Sequence, residues 1–236
     1  MQPRPVFCLF AAAALLVAAD PSWKSKPAQE WTPEDARLLL DDSPWAKPSI
    51  ATLIPPLNED QRRESGNMGQ PHGVGYDGVE DKHTRPGLSL ADILLKPYTP
   101  HPPEYLPVLV RWESSLPVRA AERKSGEPAP PAVEGDGYKI AVYGIPGGNF
   151  RGTPKSLGDP LRHLAALRRG GKPDVKPTRV EVFQEQNGLV IVYVFPVKAE
   201  LTKRDTFVEF DAQIGRVAIR QTFDITEMLF LGTLEL

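Results

Sequence analysis

Cysteine is nearly absent: the 236 residues hold one, Cys8. That excludes an intrachain disulfide framework and a zinc site built on thiolates. A surplus of one charge is also lacking. Twenty-eight Lys and Arg face 30 Asp and Glu, a net charge of −2, so no basic field marks the chain for nucleic acid. Histidine is scarce, at four. Three of these, His72, His83 and His101, fall in one Pro/Gly-rich stretch, and no Gly-x-Ser-x-Gly turn is present. A Ser-His-Asp hydrolase therefore has no sequence support. What abounds is proline, 26, and glycine, 19. The hydrophobic share of 41% and charged share of 25% are those of an ordinary soluble globular protein.

The first residues read as an address. Arg4 gives a short positive start, Val6 to Ala18 is an unbroken apolar run, and Val17-Ala-Ala19 places small residues before Asp20. This is the layout of a secretory signal peptide, and the run is short of the roughly 20 residues that span a bilayer. Cleavage after Ala19 is expected. It would leave a chain with no cysteine and no transmembrane span, periplasmic or secreted. Phe7 before Cys8 does not fit a lipoprotein box, and an uncleaved anchor is the alternative.

Beyond residues 1–19 the chain divides into 20–46, a helical segment; 47–104, a Pro/Gly-rich linker; and 105–236, a folded domain. In the first, Thr32 is a good N-cap, Pro33 suits the first helical position, and Glu34 and Asp35 favour the positive helix end. Ala36, Leu39 and Leu40 form an apolar stripe, and Ser43-Pro44 stops the helix. So short a helix is marginal alone. Trp31, Leu40 and Trp45 are the tentative binding residues. They either dock this helix onto the C-terminal domain or present it to a partner.

The linker holds Pro55-Pro56, repeated glycines from Gly66 to Gly78, and four prolines from Pro97 to Pro103. Only Leu88 to Leu95 carries an apolar period suited to a short helix. Such a composition buries too little surface to offset its ordering entropy. The domain reads as β-α-β-α-β-β-β-β. Leu106–Trp112 is a strand, a helix follows Ser114 or Ser115 to about Arg123, and Tyr138–Tyr143 is the second strand, conceivably parallel to the first by a crossover. Asp159-Pro160 opens a helix that Gly170 ends. Thr178–Gln184 and Leu189–Phe195 form a hairpin at Asn187-Gly188. The second of these is apolar throughout, so it is expected to be central and covered on both faces. Thr206–Asp211 and Arg216–Phe223 flank Gly215, and Asp224 to Leu229 suits a short terminal helix. The expected fold is α+β: a mainly antiparallel sheet of about six strands with helices on one face, preceded by the long irregular Pro/Gly-rich segment.

Several motifs invite chemistry. The loop Gly144–Ser156 sits between a strand and a helix, where a phosphate loop belongs, but Thr153-Pro154 follows Gly152 and Pro154 removes a donor. His72, Asp77, Asp81 and His83 match neither an EF-hand nor a helical His pair, so they read as a polar segment. A small-ligand or metal site in either stretch is the weakest of the functional ideas. Glu181 and Glu209 stand on predicted strands as outward-facing residues; as paired carboxylates they would suit glycoside hydrolysis. His163 reads as exposed. Arg162, Arg168, Arg169, Lys172 and Lys176 form a basic patch, read as a solvated face. No catalytic residue, metal ligand or cofactor is assigned.

The segment Trp31-Thr-Pro-Glu-Asp-Ala-Arg-Leu-Leu-Leu-Asp-Asp-Ser-Pro-Trp45-Ala46 resembles the opening of a group of uncharacterised secreted bacterial proteins, many from acidobacteria. Val208-Glu-Phe210, Ile219 to Phe223 and Glu227-Met228 are similar to their C-terminal pattern. The resemblance covers the N-terminal helix and the last third of the chain. It implies export across a bacterial inner membrane and, with no activity attached to the group, no functional residue. The expected function is a secreted or periplasmic, non-enzymatic binding protein whose partner is another envelope protein. An envelope hydrolase using carboxylate acid/base chemistry is the alternative; it requires two acids converging in a cleft, one with a raised pKa.

Overall fold

A computed structural model describes residues 21–55, 104–126, 133–147, 154–185, 188–197 and 201–236. Two 3₁₀ turns, Ser22–Ser25 and Ala28–Glu30, lead into helix α1, Pro33–Asp41. The expected cap is present in full. Asp35 N–H donates to Thr32 Oγ1 at 3.1 Å and Thr32 N–H donates to Asp35 Oδ2 at 3.0 Å, so two otherwise orphaned donors are satisfied reciprocally. At the far end the Ser43 hydroxyl accepts from the amides of Trp45 and Ala46 and turns the chain into a strand.

That strand corrects the expected domain division. Residues from Lys47 onward were assigned to the linker, yet β1, Ala46–Leu53, pairs along its whole length with β2, Glu104–Trp112. Leu53 lies opposite Glu104. The chain therefore leaves this pair of strands at Leu53 and re-enters it at Leu53's register partner, Glu104. Pro48 and Pro107 obscure both strands in the sequence. Each is tolerated because it sits where its strand is paired on one side only: β1 meets β8 (Val217–Asp224) only at Thr52 and Leu53, and β2 meets β3 (Tyr138–Ile145) only from Leu109 to Trp112. The remainder of the expected linker, 56–103, including Leu88–Leu95, lies outside the described residues, as do residues 1–20.

The remaining elements are α2 (Leu116–Ser125), α3 (Pro154–His163), β4 (Ala165–Arg169), β5 (Arg179–Glu185), β6 (Gly188–Phe195), β7 (Phe207–Ile214), and the short β9 (Leu229–Phe230) and β10 (Thr233–Leu234). Among the described residues the fold is α+β, with three α-helices and a sheet of eight strands, not six, in the order β4-β7-β8-β1-β2-β3-β6-β5. β1 and β4 are the two strands beyond those expected. All its ladders are antiparallel, so β2 and β3 are not crossover partners. β4 corrects the helix drawn from Asp159 to Gly170. The helix ends at His163, and Ala165 and Leu167 then point inward in a strand paired with β7. Arg168-Arg169-Gly170 imitates a helix C-terminus, but it precedes a turn. The terminal helix is likewise absent. Asp224 Oδ1 accepts from Thr226 N–H and Oγ1–H, which favours a turn over a helix. Leu231 and Gly232, at φ 48° and 82°, then make the positive-φ corner of the β9–β10 hairpin.

β6 is flanked by β3 and β5, and residues 189–195 are buried on both faces, as its apolar sequence requires. Its hairpin with β5 closes at Glu185↔Gly188, with residues 186–187 outside the described set. The sheet curls on itself. β6 and β7 are five positions apart, which in a flat sheet is about 24 Å. Yet the rings of Tyr193 and Phe210 are 5.2 Å apart, and Val175, upstream of β5, exchanges two 2.9 Å backbone hydrogen bonds with Leu167 of β4. The inside is filled by side chains: Trp112, Tyr193, Phe195, Phe210 and Phe223 are all fully buried. Residues of α1, α2 and α3 join this same cluster. No described helix is long and apolar enough to cross a membrane.

Candidate functional site

The three tentative binding residues are core residues. Trp31, Leu40 and Trp45 are 3%, 2% and 0% exposed. Trp31 Nε1–H donates to the carbonyls of Trp23 and Lys26, and its ring stands edge-on to Phe230 at 5.4 Å. Trp45 Nε1–H donates to Glu235 O at 2.7 Å and its ring meets Trp23 at 5.8 Å. These contacts join the two ends of the described chain. None of the three offers a free surface.

Among the described residues three places bring a cation to a carboxylate of low exposure; one, Lys26 and Asp35 at 3.5 Å, belongs to the α1 cap, and the other two lie elsewhere on the fold. The first surrounds Arg111, which shares a register row with Ala141 and Val192 on the face of the sheet opposite the main core. Arg111 Nε–H donates to Glu113 Oε1 at 2.6 Å and Nη2–H to Glu122 Oε1 at 3.0 Å. Nη2–H also donates to the Tyr143 hydroxyl, which in turn donates to Glu113 Oε1. The guanidinium lies 4.5 Å from the Tyr143 ring centroid. Strand alternation sets Arg111 and Glu113 on one face, β3 supplies Tyr143 beside them, and α2 brings Glu122 over the top. Burial, then the neighbouring Glu113, pushes the Glu122 carboxyl up to about 8. Burial and Glu113 likewise raise the Tyr143 hydroxyl, keeping it a neutral donor. Two acids therefore converge here, one with a raised pKa. They are not Glu181 and Glu209. Glu181 pairs with Arg179 at 3.0 Å, and Glu209 with Arg168 and Arg220 at 3.6 Å each.

The second place is a cleft of about 840 Å³ between the turn after β4 and the turn before β7, lined by Gly170, Lys172, Thr202, Arg204, Asp205, Thr206 and Phe207. The Thr202–Asp205 turn is closed by Asp205 N–H donating to Thr202 O at 2.9 Å. Asp205 Oδ2 accepts from Thr202 N–H and Oγ1–H, and Oδ1 accepts from Lys172 Nζ. Burial works against the charge of Asp205, yet the Lys172 and Thr202 hydrogen bonds hold its carboxyl below the usual range. One ion pair thus ties the two walls of the cleft together.

Comparison with known proteins adds nothing to this geometry. No family model, curated protein or solved structure matches the chain.

The expected basic patch is dispersed into ion pairs. Arg168 meets Asp174, Glu209 and Asp211; Arg162 meets Asp159; Lys176 donates to His163 O. Only Lys172 faces a cleft. His163 is exposed and opposes nothing acidic in these contacts. His72, Asp77, Asp81 and His83 lie outside the described residues, as do residues 148–153 of the Gly144–Ser156 loop. Among the described residues no three of His, Cys, Asp and Glu are grouped to hold a metal ion. Sequence reasoning missed Arg111, Glu113, Glu122, Tyr143, Arg204 and Asp205. The one available signal was Arg111-Trp-Glu113 ending an apolar strand, two opposite charges on one face of a segment otherwise buried.

Proposed function

We propose that this is an exported, non-enzymatic binding protein of the bacterial envelope, an α+β domain with its ligand seat in the cleft between Gly170–Lys172 and Thr202–Phe207. The apolar run before Asp20 supports export. The observation that carries the seat is the buried Asp205, whose carboxylate is fully engaged by Thr202 and Lys172. That bond links the two loops beside an open volume, and a preformed seat lowers the ordering cost of binding. The Lys172–Asp205 ion pair and the Thr202 hydrogen bonds give Asp205 a structural role.

Two measurements test this reading. Cell fractionation followed by N-terminal sequencing is expected to recover a chain starting at Asp20 outside the cytoplasm; a cytoplasmic chain starting at Met1 overturns export. Amide NMR of the full-length protein titrated with solubilised envelope extract is expected to shift Gly170, Lys172, Thr202 and Thr206. Shifts confined to other surfaces, or none, overturn the seat.

A second reading is favoured by Glu122 alone. A carboxyl protonated near neutral pH beside the carboxylate of Glu113 is the pairing that a carboxylate hydrolase uses. Arg111 and Tyr143 occupy both acids, which argues for a structural role. Hydrolysis of envelope polysaccharide that disappears in Glu122→Gln while the fold persists would reverse that ranking.

A further inference from the structure

The chemistry lining the cleft narrows what it can hold. Among the described residues Asp205 is its one lining acid, and both carboxylate oxygens are already engaged. Lys172 Nζ donates to Asp205 and to no other described residue, which leaves two of its three N–H donors. The Arg204 guanidinium has no hydrogen bond or ion pair among the described residues; only its backbone N–H is engaged, by Thr202 Oγ1 at 3.3 Å. The seat thus presents a surplus of positive charge with a planar fork, the geometry that grips carboxylates in pairs. Thr206 adds a hydroxyl. Phe207 opens β7 and is 54% exposed as a residue, an apolar platform beside polar groups.

We propose that the ligand of this cleft is an acidic saccharide, a short chain of carboxylate-bearing sugars. Arg204 and Lys172 hold the carboxylates, Thr206 meets a hydroxyl, and Phe207 underlies the C–H face of a ring. This rests on the cleft being the ligand seat. An inorganic anion would use the cations but leave most of the volume of about 840 Å³ and the exposed ring without a purpose. A neutral or apolar ligand would leave the guanidinium desolvated and unpaired, a net loss.

The test is isothermal titration and amide NMR of the full-length protein with trigalacturonate, trimannuronate, their neutral methyl esters and inorganic phosphate. At least one uronate is expected to bind with shifts at Gly170, Lys172, Thr202 and Thr206, and its ester about tenfold or more weaker. Arg204→Ala and Phe207→Ala, both at exposed positions, are each expected to weaken binding by about tenfold with the fold unchanged. Equal binding of acid and ester overturns the proposal. So does phosphate binding as tightly as the uronates, which would make this a simple anion site, and so does indifference to both substitutions. Shifts at these amides from envelope extract but not from either uronate overturn the ligand class and leave the seat standing; no shift from any addition overturns both.

Discussion

Arg111 and Lys172 each meet a carboxylate of low exposure, with opposite consequences. At Arg111 one guanidinium serves two glutamates and a tyrosine, and the tyrosine closes the ring by donating to Glu113. Arg111, Tyr143 and Glu122 stand on β2, β3 and α2, and Glu113 opens the turn after β2. At Lys172 one ammonium meets one aspartate between two turns, and donors remain over. Burial and neighbouring space make the difference. The Arg111 side chain is 9% exposed and its partners come from β3, α2 and the turn after β2, whereas the half-exposed Lys172 lines an open cleft of about 840 Å³.

The largest expected effect breaks the Arg111 network. Arg111→Met leaves Glu113 and Glu122 facing each other without a cation, and urea unfolding is expected to show a loss of about 3–5 kcal/mol. Replacing Glu113 and Glu122 by Leu in the same chain is expected to recover most of that loss, because a buried network is often no more stable than packed hydrophobes. Next comes Asp205→Ala, which unties the Thr202 turn and frees a half-exposed lysine. A loss of about 1–3 kcal/mol is expected in the same assay. Equal losses at Arg111 and Asp205 would erase the distinction between the two places.

The effect of pH sharpens it further. Glu122 binds its proton up to about pH 8 in the folded protein, against an ordinary value of 4.5. The unfolded chain releases that proton first. This contribution to stability is therefore complete below about pH 4.5 and is lost as pH rises through about 8. Asp205 and Asp35 run the other way. Their carboxyls are held below the usual 3.8, so their contribution is present above that value and is lost as pH falls below it. Melting curves are expected to give a midpoint that declines from pH 5 to 8, and Glu122→Gln is expected to flatten the decline. A decline of the same size in Glu122→Gln would remove Glu122 as its cause. The smallest effect is Arg204→Ala, within about 0.5 kcal/mol of the parent in urea. A larger loss would show that this guanidinium has a structural partner and is not free for a ligand.

The parts of the fold legible in the sequence are those set by near neighbours. Thr32-Pro-Glu-Asp35 contains its own capping partners, so α1 begins where it reads. The β7–β8 turn at Gly215 and the β5–β6 hairpin depend on a few adjacent residues. β1 was hidden because Pro48 argues against a strand unless one edge is known to be unpaired. β4 was hidden because Arg-Arg-Gly suits a helix end and a turn equally well, and only β7 alongside decides. Of the candidate site, Lys172 was visible only as one charge in a basic patch. Arg204 and Asp205 carried no local signal.

The sequence by itself determined that a single cysteine allows no intrachain disulfide, that residues 6–18 are an apolar run, that an α+β core follows, and where its capped helix starts. These properties are compositional or span a single turn or alternation. Tertiary structure alone decided that Trp31 and Trp45 are core, that β1 belongs to the sheet, that Glu113 meets Glu122, and that Asp205 holds Lys172 across a cleft. Each of these is a pairing of residues distant in the chain. Such pairings exist only once the sheet has curled, because strand register and side-chain contact are set by burial across the whole core and not by spacing along the backbone.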